Sequence, residues 1–309
     1  MGQMSDDASD IYDLIDRAYE SDDVDEIAAL TERVLELAPD NPEALLLKSE
    51  LIEDDEERLL LLERALAKIK KYFEEQGLSG EAISEDDNSE VYFAILKRAA
   101  YVRFLLEDDD GAMELIEELL PFDPYDQMFS RSFYYRILLE REEWAAVLED
   151  TMKQTEHGLG WAYSRIIATY MLSVQGKSGK GNKKSDIAKI DKMLWPAIAM
   201  SPDVPFYMLG YFPDPVDDTE EEEDAFEFGL LFEGIWAVSR DMLNWFSKSV
   251  ILFGLLSGRF GDEQDDMAEI LDALGGGDDY KELFDKLGGA EPDEVVLSAI
   301  LSGGYPKAR

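Results

Sequence analysis

The 309-residue sequence predicts an all-α protein built from pairs of helices. Apolar residues recur at spacings of three and four along most of the chain, and strand signals such as Asn-Gly hairpins are nearly absent. A helix, a proline-containing corner and a second helix follow one another in LELAPDNPEALLLKSEL, residues 35–51. The same pattern returns in PFDPYDQMFSRSF, residues 121–133, and AMSPDVPFYMLG, residues 199–210. Such recurrence indicates a stack of helix pairs.

Composition and charge limit the classes of function. A hydrophobic content of 46% is enough for a long core, and a net charge of −41 should repel nucleic acid and anionic lipid. The charge favours a basic partner, although solubility of an elongated repeat protein or an acidic source proteome also explains it, and these two together outweigh a charge-driven function. The absence of cysteine excludes disulfides, thiolate nucleophiles and Cys-ligated zinc, and it fits a cytoplasmic location.

No segment reads as an export signal or a membrane span. The first ten residues, MGQMSDDASD, lack a basic region followed by an apolar one. The most apolar late segment, VILFGLL at residues 250–256, is much shorter than the roughly 20 residues that cross a bilayer. We therefore expect no membrane partner.

The first helices of the chain are the easiest to place. The segment DEIAALTERVLEL has one apolar stripe at spacings of three and four, formed by Ile27, Leu30, Val34 and Leu37. Pro39 should end this helix. Asn41 should then cap the next helix, with Pro42 in its first turn.

One later segment carries a family resemblance. In EDDDGAMELIEELLPFDPYDQ, residues 107–127, the spacing of Ala112, Ile116, Leu119 and Pro124 resembles the second helix of a tetratricopeptide repeat, although Leu119 stands where a small residue is usual. The resemblance implies a right-handed superhelical solenoid of antiparallel helix pairs. It also implies that Ala100 and Ala112 allow close helix packing and that the first helix of each pair lines a concave groove.

The 34-residue frame of that family places five degenerate units in residues 1–202. The first unit lies near residues 8–41, and the second starts at residue 42. The third spans residues 93–126, the fourth starts at residue 127, and the fifth runs from about residue 160 to residue 202. Charged insertions interrupt the frame at residues 71–91 and 174–186. Ala65 and Ala146 stand at expected small positions of the second and fourth units.

The remaining third differs from these units. SPDVPFYMLG, residues 201–210, is similar to a segment of the suppressor-of-tumorigenicity-seven-like repeat family and its uncharacterised bacterial relatives, which implies a loop and a helix pair over residues 203–260. The acidic run at residues 217–224 suits a helix N-terminus, and helical spacing is expected to continue through Phe226, Leu230, Glu233 and Ala237. Residues 261–309 contain three short amphipathic segments, MAEILDAL, YKELFDKL and DEVVLSAIL, which should form a C-terminal cap or capture a partner.

The sequence offers no catalytic, metal or cofactor motif. His157 is the only histidine and has no neighbouring nucleophile or orienting acid. GKSGKGNKKS, residues 176–185, lacks the first glycine of a phosphate-binding loop, and DDDGAMELIEE lacks the first ligand of a calcium loop because Leu106 occupies that position. We therefore predict a protein that is not an enzyme, with no catalytic residues, no metal and no cofactor.

What remains is a binding surface. By the register of the resemblance, the inward positions of the first helices include Tyr12, Tyr19, Lys97, Tyr101, Phe104, Met128, Arg131 and Tyr135. Aromatic residues with arginine are typical of binding hot spots, although ordinary packing between helices would explain several of them. The cations Lys97, Arg98, Arg103, Arg131 and Arg136 fall on two neighbouring first helices. They predict a site for a carboxylate or acidic peptide, unless the chain's own acidic loop DDTEEEED occupies it.

Three hypotheses for function follow. The leading one is a non-catalytic scaffold or adaptor that holds a peptide or protein segment in the concave groove, with no nucleic-acid or membrane partner. The second is an acidic chaperone or nucleic-acid mimic that sequesters basic proteins through its field. The third is an enzyme whose acid pair comes from Asp and Glu residues distant in sequence.

Overall fold

The computed structural model describes residues 3–175 and 183–287, with side chains described for 10–175 and 190–287. The fold is all-α, and the described residues contain no strand. The basic loop at 176–182 and the third short segment of the tail, residues 293–301, lie outside them. The helices are α1 (Gln3–Glu20), α2 (Val24–Leu37), α3 (Pro42–Glu50), α4 (Asp55–Gln76), α5 (Glu81–Ser84), α6 (Ser89–Leu105), α7 (Asp109–Leu119), α8 (Ser130–Glu140), α9 (Trp144–Thr151), α10 (Leu159–Gln175), α11 (Lys183–Met200), α12 (Val204–Met208), α13 (Glu220–Leu231), α14 (Arg240–Ser257), α15 (Gln264–Ala273) and α16 (Gly277–Leu287).

The chain divides into two compact units, Met1–Ile137 and Leu138–Arg309. We call them unit 1 and unit 2. The division falls within α8, the first helix of the fourth predicted pair.

Unit 1 consists of helices that pack on their neighbours in the chain. The pairs α1/α2, α3/α4 and α6/α7 are each joined by three or four residues, and α2 also contacts α3 as α4 contacts α6. The main apolar core lies between α4 and α6 and includes Leu62, Ile69, Ile95 and Leu96. The alanines at the small positions, Ala65, Ala100 and Ala112, have no exposed surface.

The helix boundaries in unit 1 follow from capping residues. The side chain of Asn41 accepts a hydrogen bond from the Ala44 amide at 2.9 Å, and Pro42 is the first residue of α3, so both predictions at this corner are confirmed. Asp108 caps α7 by accepting from the Gly111 amide at 3.1 Å. The DDDG segment is therefore the cap and first turn of α7, and the turn between α6 and α7 consists of residues 106–108.

The predicted insertion at residues 71–91 is partly helical. α4 continues through Gln76, because Phe73 packs in the core with 3% of its surface exposed. Gly77 ends the helix in the left-handed conformation with φ of 70°. At the other end of the segment, α6 begins at Ser89.

Unit 2 is built around aromatic side chains. The Trp236 and Phe246 rings stack with centroids 3.8 Å apart, and the buried ring of Tyr163 meets both edge-on. Thr219 caps α13, whose first four residues are glutamates, as the acidic run predicted. The expected continuation to Ala237 is wrong, because α13 ends at Leu231 and Gly234 follows with φ of 78°.

The first two short segments of the tail form α15 and α16, which pack on α14 and on each other. Lys248 of α14 pairs with Asp279 at 2.6 Å and donates to the Gly275 carbonyl oxygen at 3.0 Å. Neither helix is long enough to be stable alone, so both depend on contacts such as these with the rest of unit 2.

Candidate functional site

Three first helices of successive pairs in unit 1 enclose a cleft of about 220 Å³. We call it the α1–α3–α6 cleft. It is lined by Ile11, Tyr12, Ile15, Asn41, Pro42, Glu43, Asn88 and Val91.

The floor of the cleft is apolar and belongs to the core. Ile15 is 3% exposed and packs with Val34 and Ala44, and Ile11 packs against the same cluster. An apolar floor backed by core residues is rigid, so the cleft exists before any ligand binds.

Two hydrogen-bonded corners hold the rim of the cleft in place. Asn41 caps α3, so its side chain and Pro42 stand at the start of that helix. On the other side, Asp86 accepts hydrogen bonds from the backbone amide and the side-chain amide of Asn88, both at 2.9 Å. Tyr72 donates to the same Asp86 carboxylate at 3.1 Å, which ties the corner to α4.

Glu43 is the only charged residue among those that line the cleft. Burial raises the pKa of its carboxyl, and the nearby charge of Asp16 raises it further, while a hydrogen bond from the Tyr19 hydroxyl lowers it. The pKa of Tyr19 is itself raised by burial of its hydroxyl and by Glu43 and Glu50. This side of the cleft is therefore acidic.

Two of the predicted groove residues lie at the cleft. Tyr12 lines it and is 68% exposed, and Tyr19, which is 54% exposed and is not part of the lining, lies beside the lining residue Glu43. Large aromatic surfaces exposed to this extent beside a concave site are suited to contact a partner.

Three further groove residues lie where α6 meets the start of α8. The Lys97 ammonium lies 5.5 Å from the centre of the Phe129 ring, and the Arg136 guanidinium lies 5.2 Å from that of Phe104. The rings of Tyr101 and Phe104 both contact Phe133. These side chains thus contribute to packing within unit 1.

The last three groove residues have structural contacts as well. Met128 packs against the core between α4 and α6, and the Arg131 amide donates to Asp126 at 2.7 Å. Tyr135 has no exposed surface, so its side chain is part of the core and does not line a groove.

The predicted cation cluster is engaged within unit 1. Arg98 pairs with Glu50 at 3.2 Å, and Arg103 pairs with both Glu63 and Asp108. Two of the five predicted cations, Arg98 and Arg103, thus already pair with carboxylates of unit 1.

Sequence reasoning missed all five residues that line the cleft on its α3 and α6 sides, Glu43 among them. Asn41 and Pro42 were assigned only to the helix start, and Asn88 and Val91 were placed in the predicted insertion. Their shared location follows from the packing of three helices, and no local pattern in the sequence reports that packing.

Within the part of the chain that the structure describes, no group of three or more His, Asp or Glu side chains is placed to hold a metal ion. Among the same residues, no helix combines the length and apolarity needed to cross a membrane.

Comparison of the chain with protein-family models, curated proteins and solved structures found no match.

Proposed function

We propose that the protein is a non-catalytic interaction module that holds a peptide or protein segment in the α1–α3–α6 cleft. The observation that carries this proposal is that the residues lining the cleft come from the first helix of each of three successive pairs. A preformed concave surface with an apolar floor and exposed aromatic residues can bind a segment without any covalent chemistry.

We further propose that the pairs of unit 1 are tetratricopeptide-like repeats of a right-handed solenoid. Short connections between packed helices favour antiparallel pairs, and fully buried alanines at residues 65, 100 and 112 favour close helix contact. In such a solenoid the first helices form the inner face. A cleft between α1, α3 and α6 is what that arrangement would produce.

The size of the cleft supports binding of a side chain over catalysis on a small molecule. Pockets that enclose drug-sized ligands measure roughly 300–1,000 Å³. The cleft measures about 220 Å³, which suits one or two anchoring side chains of a segment whose backbone stays on the surface. The cytoplasmic location inferred from the cysteine-free composition is part of the same proposal.

The net charge of −41 supports a second candidate, an acidic chaperone or nucleic-acid mimic. Binding through the overall field weakens steeply with salt and depends little on any single residue. Binding in the cleft should depend on its lining residues and keep most of its affinity at about 0.3 M salt, where exposed charges are strongly screened.

The test is selection of segments from a random dodecapeptide phage library on three proteins. They are the wild type, Asn88→Trp, which places a bulky ring at the rim, and Glu85→Trp, a control in the same loop that does not line the cleft. Enrichment on the wild type and on Glu85→Trp that is lost on Asn88→Trp would support the proposal. Equal enrichment on all three proteins would contradict it.

A further inference from the structure

The inference concerns Glu43 and rests on the proposed function. Its carboxylate is half-buried at the cleft, and no cation pairs with it among the described residues. A carboxylate removed from water and left without a cation carries an unfavourable desolvation free energy. The neighbouring charge of Asp16 adds to that cost.

Cations on the three helices of the cleft pair with other carboxylates, as Lys48 of α3 does with Glu32. Arg17 of α1 pairs with Glu26 at 3.2 Å, and Arg98 of α6 pairs with Glu50 at 3.2 Å. The single hydroxyl of the neighbouring Tyr19 can fill only part of the acceptor capacity of Glu43, since a carboxylate can accept about four hydrogen bonds. The charge at the cleft therefore complements a positively charged ligand.

The residues around Glu43 favour a planar cation attached to an apolar stem. The exposed rings of Tyr12 and Tyr19 offer faces on which a guanidinium can stack, and Ile11 and Ile15 offer an apolar floor. Arginine combines these properties, because its fork can also bind both oxygens of a carboxylate.

The chain uses the same combination elsewhere. In unit 2 the Arg259 guanidinium bonds Asp203 at 3.1 Å and lies 5.7 Å from the centre of the Phe253 ring. A carboxylate beside an aromatic ring is thus a working guanidinium site within this protein, and the cleft presents both groups without the arginine.

We infer that the α1–α3–α6 cleft binds an arginine side chain of a partner segment, with the guanidinium on Glu43 and the tyrosine rings and an adjacent apolar residue on the isoleucine floor. The ligand class is an arginine-containing peptide flanked by apolar residues.

The experiment uses the segments enriched on the wild-type protein, which we expect to share an arginine next to an apolar residue. The most enriched segment is synthesised with a fluorescent label in three forms: with arginine, with the neutral isostere citrulline, and with lysine. Each form is titrated by fluorescence anisotropy into full-length wild type, Glu43→Gln and Glu53→Gln. Each variant removes one negative charge, and Glu53 is an exposed residue beyond the far end of α3, so Glu53→Gln is a control for the change in net charge.

We expect Glu43→Gln or citrulline to weaken binding by roughly ten- to a hundredfold, and lysine by several-fold, with Glu53→Gln unchanged. Enriched segments without arginine, equal binding of citrulline or lysine, or equal effects of the two glutamine variants would overturn the inference. If such segments still require an open rim at Asn88, the proposed function stands without it. If binding ignores Asn88→Trp, or no segment is enriched, both fail.

Discussion

Asp126 fixes the loop between α7 and α8, and its replacement should give a measurable loss of stability in unit 1. The carboxylate accepts from the amides of Arg131 at 2.7 Å and Ser132 at 3.1 Å and from the Ser132 hydroxyl. The residue also has a φ of 59°, in the left-handed region that aspartate and asparagine tolerate better than alanine.

The magnitude follows from these contacts. Asp126→Ala removes three hydrogen bonds worth about 1 kcal/mol each, and the left-handed conformation costs alanine about another 1 kcal/mol. Burial raises the pKa of Asp126, which shows that its charged form is partly desolvated. Removal of the carboxylate relieves this desolvation cost and offsets part of the lost stability. We expect a net loss of about 3 kcal/mol. Asp126→Asn keeps a carbonyl acceptor and the backbone tolerance, so it should cost about 1 kcal/mol.

The assay is urea denaturation followed by far-UV circular dichroism, with amide hydrogen exchange of Arg131 and Ser132. Tryptophan fluorescence would not report on unit 1, because all five tryptophans lie between residues 144 and 245. Equal unfolding free energies for the alanine and asparagine variants, or unchanged exchange at both amides, would refute the role assigned to this carboxylate.

Three further perturbations test other parts of the structure. Asn41→Ala should lower the unfolding free energy of unit 1 by about 1 kcal/mol through loss of the α3 cap, and no change in a urea titration by circular dichroism would contradict the capping role. Gly229→Ala should destabilise unit 2 by about 1–3 kcal/mol, because the new Cβ would stand 2.2 Å from the Tyr207 Cβ. Urea denaturation followed by tryptophan fluorescence measures this loss. A variant as stable as the wild type would show that α12 and α13 are farther apart. Burial raises the pKa of Asp191 and Asp203, so the folded state binds their protons more tightly than the unfolded state does. The folding free energy therefore becomes less favourable as the pH rises through the folded pKa values, and it recovers on acidification. Together with relief of repulsion among the excess carboxylates, this should raise the melting temperature between pH 7 and about pH 5, and a fall over that interval would contradict it.

The helices were predictable because their signals are local. The cap at Asn41, the acidic start of α13 and the apolar stripe of α2 each depend on residues within three turns of one another. The length of α4 was missed because the KKYFEEQ segment is highly charged, and its helical state depends on the tertiary contact of Phe73.

The candidate site was predictable only in part, because it depends on contacts between helices distant in sequence. Tyr12 and Tyr19 were identified from the register of the first helices, and both lie at the cleft. Glu43 and Asn88 have no distinguishing local pattern in a chain so rich in acidic and polar residues. Tyr135 was predicted from the same register, yet its side chain is buried. The register alone does not distinguish positions that face a groove from positions in the core.

The most direct test of segment binding in the cleft is a methyl NMR titration of the protein labelled at isoleucine δ1 methyl groups. A segment enriched on the wild type is added stepwise, and the methyl shifts of Ile11 and Ile15 at the cleft are compared with those of Ile69 and Ile116 in the interior of unit 1. We expect saturable shifts confined to Ile11 and Ile15. Saturable binding that leaves these two methyl groups unchanged would contradict the assignment of the cleft as the binding site.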